Sequence, residues 1–142
     1  MAYTGSCACG AVRVEIASPA LAARQCWCSH CQKLAGGGPM HNAFFRTDDI
    51  ILTGELASNS YIADSGTEIR WYFCPACATH VFAGADIRPH MRAVRIGIFD
   101  RPHDLKPEMA IWTQEAPAWA AIDPALERYP AAPLPPPALP QS

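Results

Sequence analysis

Val12, Val14 and Ile16 alternate with Arg13, Glu15 and Ala17. That period of two predicts a strand with one buried face. Comparable segments recur along the chain. Ala22 to Trp27 reads as an extended approach to a cysteine cluster, residues 42–46 as a short strand, and Asp48 to Gly54 as a strand edge or turn. Ser58 to Ala63 reads as a further strand closed by Asp64-Ser65-Gly66. Glu68 to Phe73, rich in β-branched and aromatic residues, runs straight into Cys74-Pro75-Ala76-Cys77. Thr79 to Ala83 and Ala93 to Phe99 complete the set. Gly36-Gly37-Gly38-Pro39 opposes any regular element and predicts a loop. Helical signal is confined to Ala116 to Glu127, where prolines interrupt it. Short strands separated by turn signals predict a mainly β domain.

A length of 142 residues predicts one domain with its own core. The last 13 residues contain six prolines, which oppose both a regular helix and a central strand. The expected organisation is one domain over 1–128 and a Pro-rich tail over 129–142. Eleven Lys and Arg against 13 Asp and Glu leave a formal charge of −2. With the two signs interspersed, the expectation is no nucleic-acid partner and no anionic membrane surface. No apolar run approaches the roughly 18 residues of a membrane span. The N-terminal stretch lacks a basic segment followed by an apolar one, so the expected location is cytoplasmic.

The seven cysteines change this outline most. An odd number does not suit a purely disulfide framework, and the close CxC and CxxC spacings are those of metal sites. Cys7 and Cys9 form one pair, Cys74 and Cys77 another. Together they make the four-thiolate set of a closed structural zinc site. The competing reading of Cys74-Cys77 is a redox dithiol, but no helix start is predicted there to lower a thiol pKa. Gly5 and Gly10 are expected to relax the backbone around the first pair. Ala78 follows the second pair, in a turn that need not have positive φ. The remaining thiols, Cys26, Cys28 and Cys31, lie within Arg24-Gln25-Cys26-Trp27-Cys28-Ser29-His30-Cys31-Gln32-Lys33. Three protein ligands and one exchangeable position are the usual form of a catalytic zinc. His30 is the alternative fourth ligand, although its place between Cys28 and Cys31 demands a cramped turn. His41, His80, His90 and His103 read as surface or hydrogen-bonded residues, with His41 the weak candidate for a pocket.

These pieces, in order, resemble the glutathione-dependent formaldehyde-activating enzyme (GFA-like) family and the related centromere-protein-V-type domains. The resemblance rests on the segments Gly5–Val14, Cys26–Lys33 and Trp71–Ala83, and on Ala116–Asp123 with its Pro-Trp pattern. It implies an Mss4-like complex β fold with short irregular or helical segments. It also implies a structural zinc on Cys7, Cys9, Cys74 and Cys77, and a second zinc on Cys26, Cys28 and Cys31 associated with glutathione chemistry. With three thiolates and an exposed metal, that second zinc is expected to be the more labile. The implied activity is that of a carbon-sulfur lyase, interconverting S-(hydroxymethyl)glutathione with glutathione and formaldehyde or a related small aldehyde. Two positions depart from the family pattern. Ala78 stands where glycine is usual, and Trp27 replaces a histidine, which is expected to alter pocket shape or access.

For an anionic thiol, a three-thiolate zinc centre, carrying one net negative charge, is less repulsive than a four-thiolate centre carrying two. Compensating cations are still required, and Arg24, Lys33, Arg46 and Arg70 are candidates. The competing expectation is a non-catalytic, zinc-stabilised module that binds a small thiol or a protein. Fold alone does not choose between them. The sequence carries no expectation of oligomeric state.

Overall fold

The computed structural model describes residues 2–133. Residues 134–142, most of the expected Pro-rich tail, lie outside the described part. The architecture is mainly β, as the alternating segments predict, with strands β1 (Tyr3–Ser6), β2 (Arg13–Ile16), β3 (Ala22–Cys26), β4 (Met40–Arg46), β5 (Ile50–Thr53), β6 (Ala57–Ile62), β7 (Glu68–Phe73), β8 (His80–Ala85), β9 (Met91–Arg95), β10 (Met109–Ile111) and β11 (Glu127–Arg128). They form a three-stranded sheet, β1-β2-β5, and an eight-stranded sheet, β11-β10-β3-β4-β9-β8-β7-β6. Pairing is antiparallel throughout except that β10 runs parallel to both β3 and β11. No described helix is long and apolar enough to cross a membrane.

One α-helix is described, α1 (Ser29–Ala35), and it lies where no helix is expected from the sequence. Cys28 caps its start, its sulfur accepting from the Cys31 N–H at 3.3 Å, and Gly36 ends it at φ 84°. The Gly37 N–H closes the last turn onto the Gln32 carbonyl at 2.7 Å. The helical expectation for 116–127 is corrected. Pro117 and Pro124 lack the N–H that a continuing helix needs, and isolated turns form instead, Ala120 N–H to Pro117 O at 2.9 Å and Leu126 N–H to Asp123 O at 3.1 Å. The predicted strand over 93–99 also stops early, because Ile96–Ile98 form a single 3-10 turn. The chain just beyond 128 remains docked, with Thr113 and Gln114 N–H groups donating to the Tyr129 and Pro130 carbonyls at 3.1 and 3.2 Å.

The large sheet uses both faces. Ala23, Ala43 and Val94 are directly paired neighbours or alternate with polar residues along β3, β4 and β9, and they are at most 4% exposed. They belong to the core formed against Val12, Val14 and Ile16 of the small sheet. Alternate positions lie in register as Arg24, Asn42 and Arg95, on the opposite face. Three rings tie the core together. Tyr3 meets Phe45 and Phe99 edge-on, both at 5.7 Å between centroids, and Phe45 lies 5.9 Å from Phe99. Gly5 is required by close approach: a Cβ there would stand 2.5 Å from the Ile98 carbonyl oxygen.

Phe45 is fully enclosed, so Phe45→Ala removes buried apolar surface and leaves a cavity between the sheets. We expect a loss of about 3–5 kcal/mol, measured by urea unfolding of the metal-loaded protein. A loss below about 1 kcal/mol would show that the ring trio does not hold the sheets together.

Candidate metal centres and cleft

Two turns bring the first four cysteines together. Cys7 and Cys9 occupy the β1–β2 turn, where the Cys7 N–H donates to Val12 O at 3.0 Å and the Gly10 N–H donates to Cys7 O at 3.1 Å. Gly10, at φ 80°, supplies the left-handed residue this reversal needs. Cys74 and Cys77 occupy the β7–β8 turn, closed by Ala78 N–H to Cys74 O at 2.8 Å and Cys74 N–H to Thr79 O at 3.0 Å. The Thr79 hydroxyl joins the turns, accepting from the Ala8 N–H at 3.1 Å and lying 3.2 Å from Cys77 Sγ.

The four sulfurs all lie within 4.8 Å of one another. Cys7 and Cys9 Sγ are 3.6 Å apart, and Cys9 and Cys74 Sγ 3.8 Å. Four sulfurs at about 2.3 Å from a tetrahedral zinc would stand about 3.8 Å from each other, so the donor set fits that metal. The Val12 N–H donates to Cys7 Sγ at 3.2 Å and holds that thiol below its ordinary pKa. Hydrogen bonds from Thr79 similarly pull Cys77 down to about 5.

The second cluster forms where β3 gives way to α1. Cys26 ends the strand, Cys28 caps the helix and Cys31 lies in its first turn. Their sulfurs are also within 4.8 Å of one another, and this group can hold a metal. Hydrogen bonds from the Cys26 and Cys31 thiols hold Cys28 far below the ordinary thiol pKa, while Cys26 is pushed up to about 12 mainly by sharing that proton with Cys28. The loop is fixed from both sides. The Trp27 N–H donates to Ile111 O at 3.0 Å. Gln32 Nε2 donates to the Trp27 and Glu115 carbonyls at 2.7 and 2.9 Å, and Glu115 Oε1 accepts from the Ser29 N–H at 3.3 Å.

The cluster opens at Cys31 into a cleft of about 200 Å³ on the outer face of the large sheet. His30 lines it rather than joining the sulfurs. Its ring stacks on Tyr61 at 3.6 Å and meets Trp71 edge-on at 5.1 Å. Burial keeps the His30 imidazole below its ordinary pKa. Burial, reinforced by the Cys28 and Cys31 charges, pushes the Tyr61 phenol up to about 12. Of the cations considered from the sequence, Arg24 reaches this cleft, whereas Lys33, Arg46 and Arg70 do not line it. Arg70 instead bonds the Ser58 hydroxyl at 2.9 Å and pairs with Glu68 at 3.5 Å.

The sequence reading missed Arg88, Arg95, Asn42, Tyr61 and Trp71 as cleft residues. Period-two alternation carried a signal for Asn42 and Arg95, because each shares a strand with buried apolar residues of the opposite parity. Trp27 does not line the cleft, contrary to the expectation that it alters the pocket. It is buried at 3% exposure, and its indole N–H donates to Gln25 Oε1 at 2.8 Å, with Gln25 Nε2 2.9 Å from His41 Nε2. His41 belongs to this network and lines a separate hollow with His80 and Pro39, as its pocket candidacy anticipates, not the cleft at Cys31.

Ala78 corrects a further expectation. Its φ is 65°, so the turn does demand a left-handed residue, at a cost of about 1–2 kcal/mol for an L-residue. Glycine's freer unfolded chain takes back about 0.5–1 kcal/mol of the relief. Ala78→Gly is therefore expected to stabilise the metal-loaded protein by about 0.5–1 kcal/mol, seen as a higher urea midpoint. A lower midpoint would contradict it.

Residues 2–115 match the family described as glutathione-dependent formaldehyde-activating enzyme. A Halomonas elongata protein named "Putative glutathione-dependent formaldehyde-activating enzyme" is 28% identical over 129 residues, covering 87% of this chain and 82% of the relative. The crystal structure of a Rhodobacter sphaeroides protein superposes with a TM-score of 0.53 at 25% identity, covering 70% of this chain and 90% of that one.

Proposed function

The chain belongs to the glutathione-dependent formaldehyde-activating enzyme family, and from that membership and the geometry of its thiols we propose a zinc-dependent carbon-sulfur lyase acting on glutathione adducts of formaldehyde or a small aldehyde. The observation that carries the proposal is the contrast between the two clusters. One has four sulfurs, a complete tetrahedral set, between two tight turns; the other has three sulfurs and opens at Cys31 into a cleft.

Cys7, Cys9, Cys74 and Cys77 would hold a structural zinc, and Cys26, Cys28 and Cys31 a second one. Zinc in the three-thiol centre would supply Lewis-acid stabilisation of a ligand thiolate. The chain's own contribution is to position the reactants. Gln32 and Glu115 fix the CxCxxC loop, so the three sulfurs do not reorganise when ligand arrives. Trp71, Tyr61 and His30 wall the cleft and replace water around the reacting carbon. In the lyase direction the S–C bond breaks, its electron pair stays on sulfur, the hydroxyl oxygen becomes the aldehyde carbonyl, and the hydroxyl proton passes to water. The reverse reaction joins a thiolate to the carbonyl carbon. Holding both reactants in one cleft lowers the entropic part of that barrier.

The reduced, zinc-supplied protein should contain about two zinc ions per chain, and Cys28→Ser should retain about one by elemental analysis. The intact protein should bind glutathione and accelerate exchange between formaldehyde and S-(hydroxymethyl)glutathione above the buffer rate, followed by NMR; Cys28→Ser should do neither. Unchanged zinc content and thiol binding in the variant would remove the three-thiol centre from the reading. Two zincs and thiol binding without acceleration would remove the lyase activity.

A further inference from the structure

Three arginines line the cleft beside Cys31, with no carboxylate among the lining residues. Arg24 on β3, Asn42 on β4 and Arg95 on β9 are cross-strand neighbours, and Arg88 stands in the turn leading to β9, its N–H on Ala85 O at 3.0 Å. None of the three makes an ion pair among the described residues. Arg95 is only 7% exposed. Its Nη1 donates to Asn42 Oδ1 at 2.7 Å, and its Nε is buried without a partner. The Arg24 guanidinium lies 4.1 Å above the Phe44 ring, and its Nε is likewise buried and unpartnered.

Burying a guanidinium costs several kcal/mol unless an anion and hydrogen-bond acceptors compensate it. The thiol cluster reaches the cleft at Cys31, and the remaining lining residues offer the guanidinium groups no carboxylate. The cationic strip therefore extends past the sulfurs into the cleft. Carboxylate oxygens suit such a strip because a guanidinium offers paired N–H donors in a planar fork.

We propose that this strip is an anion subsite in which Arg24, Arg88 and Arg95 hold a carboxylate of the ligand whose sulfur lies at Cys26, Cys28 and Cys31. The subsite selects acidic peptide thiols and their aldehyde adducts over neutral thiols. This inference rests on the reading of the three-thiol centre as the place of the ligand's sulfur.

The test uses the zinc-loaded protein and two probes that share the thiol, glutathione and its diethyl ester, titrated by calorimetry. Losing charge-assisted contacts costs about tenfold or more in affinity, so the wild type should bind glutathione at least about tenfold tighter than the ester. Arg24→Gln/Arg88→Gln should bring the two affinities within about twofold of each other, by weakening glutathione alone. Arg88→Gln, in a turn, should narrow the ratio partially and serves if the double variant loses its zinc or its circular dichroism. Equal affinities in the wild type, binding of neither probe, or a variant that weakens both probes equally would each overturn the subsite. Retained discrimination without turnover would support the subsite and overturn only the lyase reading.

Discussion

The meeting of the β1–β2 turn with the β7–β8 turn is the constraint on which the rest of this structure depends. Cys9 and Cys74 are 65 positions apart in the chain, yet their sulfurs are 3.8 Å apart. One turn belongs to the small sheet and the other to the large sheet. Closing a loop of that length costs conformational entropy, and four thiolates converging without a cation would repel one another. A metal ion held by the four sulfurs would offset both terms and couple this site to folding. Core contacts continue the junction away from the sulfurs, through Tyr3, Phe45 and Phe99 and through the bridge between Gly5 and Phe99.

With the small sheet on one face, the other face of the large sheet is left to line the cleft. Strand alternation enforces the division. A one-residue slip of β4 would send Asn42 and Phe44 into the core and bring Ala43 and Phe45 into the cleft. The register irregularity between Tyr72 and Phe73 falls immediately before Cys74. The extra residue is Val81 on β8, between the partners of Tyr72 and Phe73, and a bulge there bends β8 where it leaves the Cys74–Cys77 turn, while Trp71 stays on the cleft side.

Strands β2 to β9 and the close cysteine pairs were legible in the sequence because each depends on short-range pattern, whereas β1, β10 and β11 carried no such signal. Val12, Val14 and Ile16 announce their buried face by alternation, and CxC or CxxC spacing places sulfurs close whatever the surrounding fold. The helix was not legible, since Ser29–Ala35 has seven residues and buries none of them, leaving no apolar period to read. Its signals were at its ends, a capping Cys28 and the stop at Gly36. The cleft was illegible for a different reason. Arg24, Arg88 and Arg95 come from separate parts of the chain, and each alone reads as solvated charge. Only the pairing of β3 with β4 and of β4 with β9 makes them neighbours. Ala78 shows the same limit in one residue: its identity argued for an ordinary turn, and closure of the Cys74 turn overrode that preference.

The two clusters use the same donor atom and differ in what surrounds it. Around the four sulfurs, backbone N–H groups and the Thr79 hydroxyl supply the hydrogen bonds, and no sulfur of that set lines the large-sheet cleft. Around the three, a nearly buried guanidinium feels the charge of Cys31 and Cys26, and Cys31 itself forms part of the cleft wall. Adding an anionic thiol to a dication held by four thiolates would raise a double negative charge further. At a metal-loaded three-thiol centre the same addition would start from a single negative charge and would bring the ligand toward Arg24, Arg88 and Arg95, which line the adjoining cleft. If both clusters hold a metal, the difference in sulfur count would decide where a further ligand fits, and the arginines would bear on which ligand that is. On the proposed reading, one cluster would hold the sheets together and the other would exchange a ligand, and the sulfur count with its electrostatics is what separates the two roles.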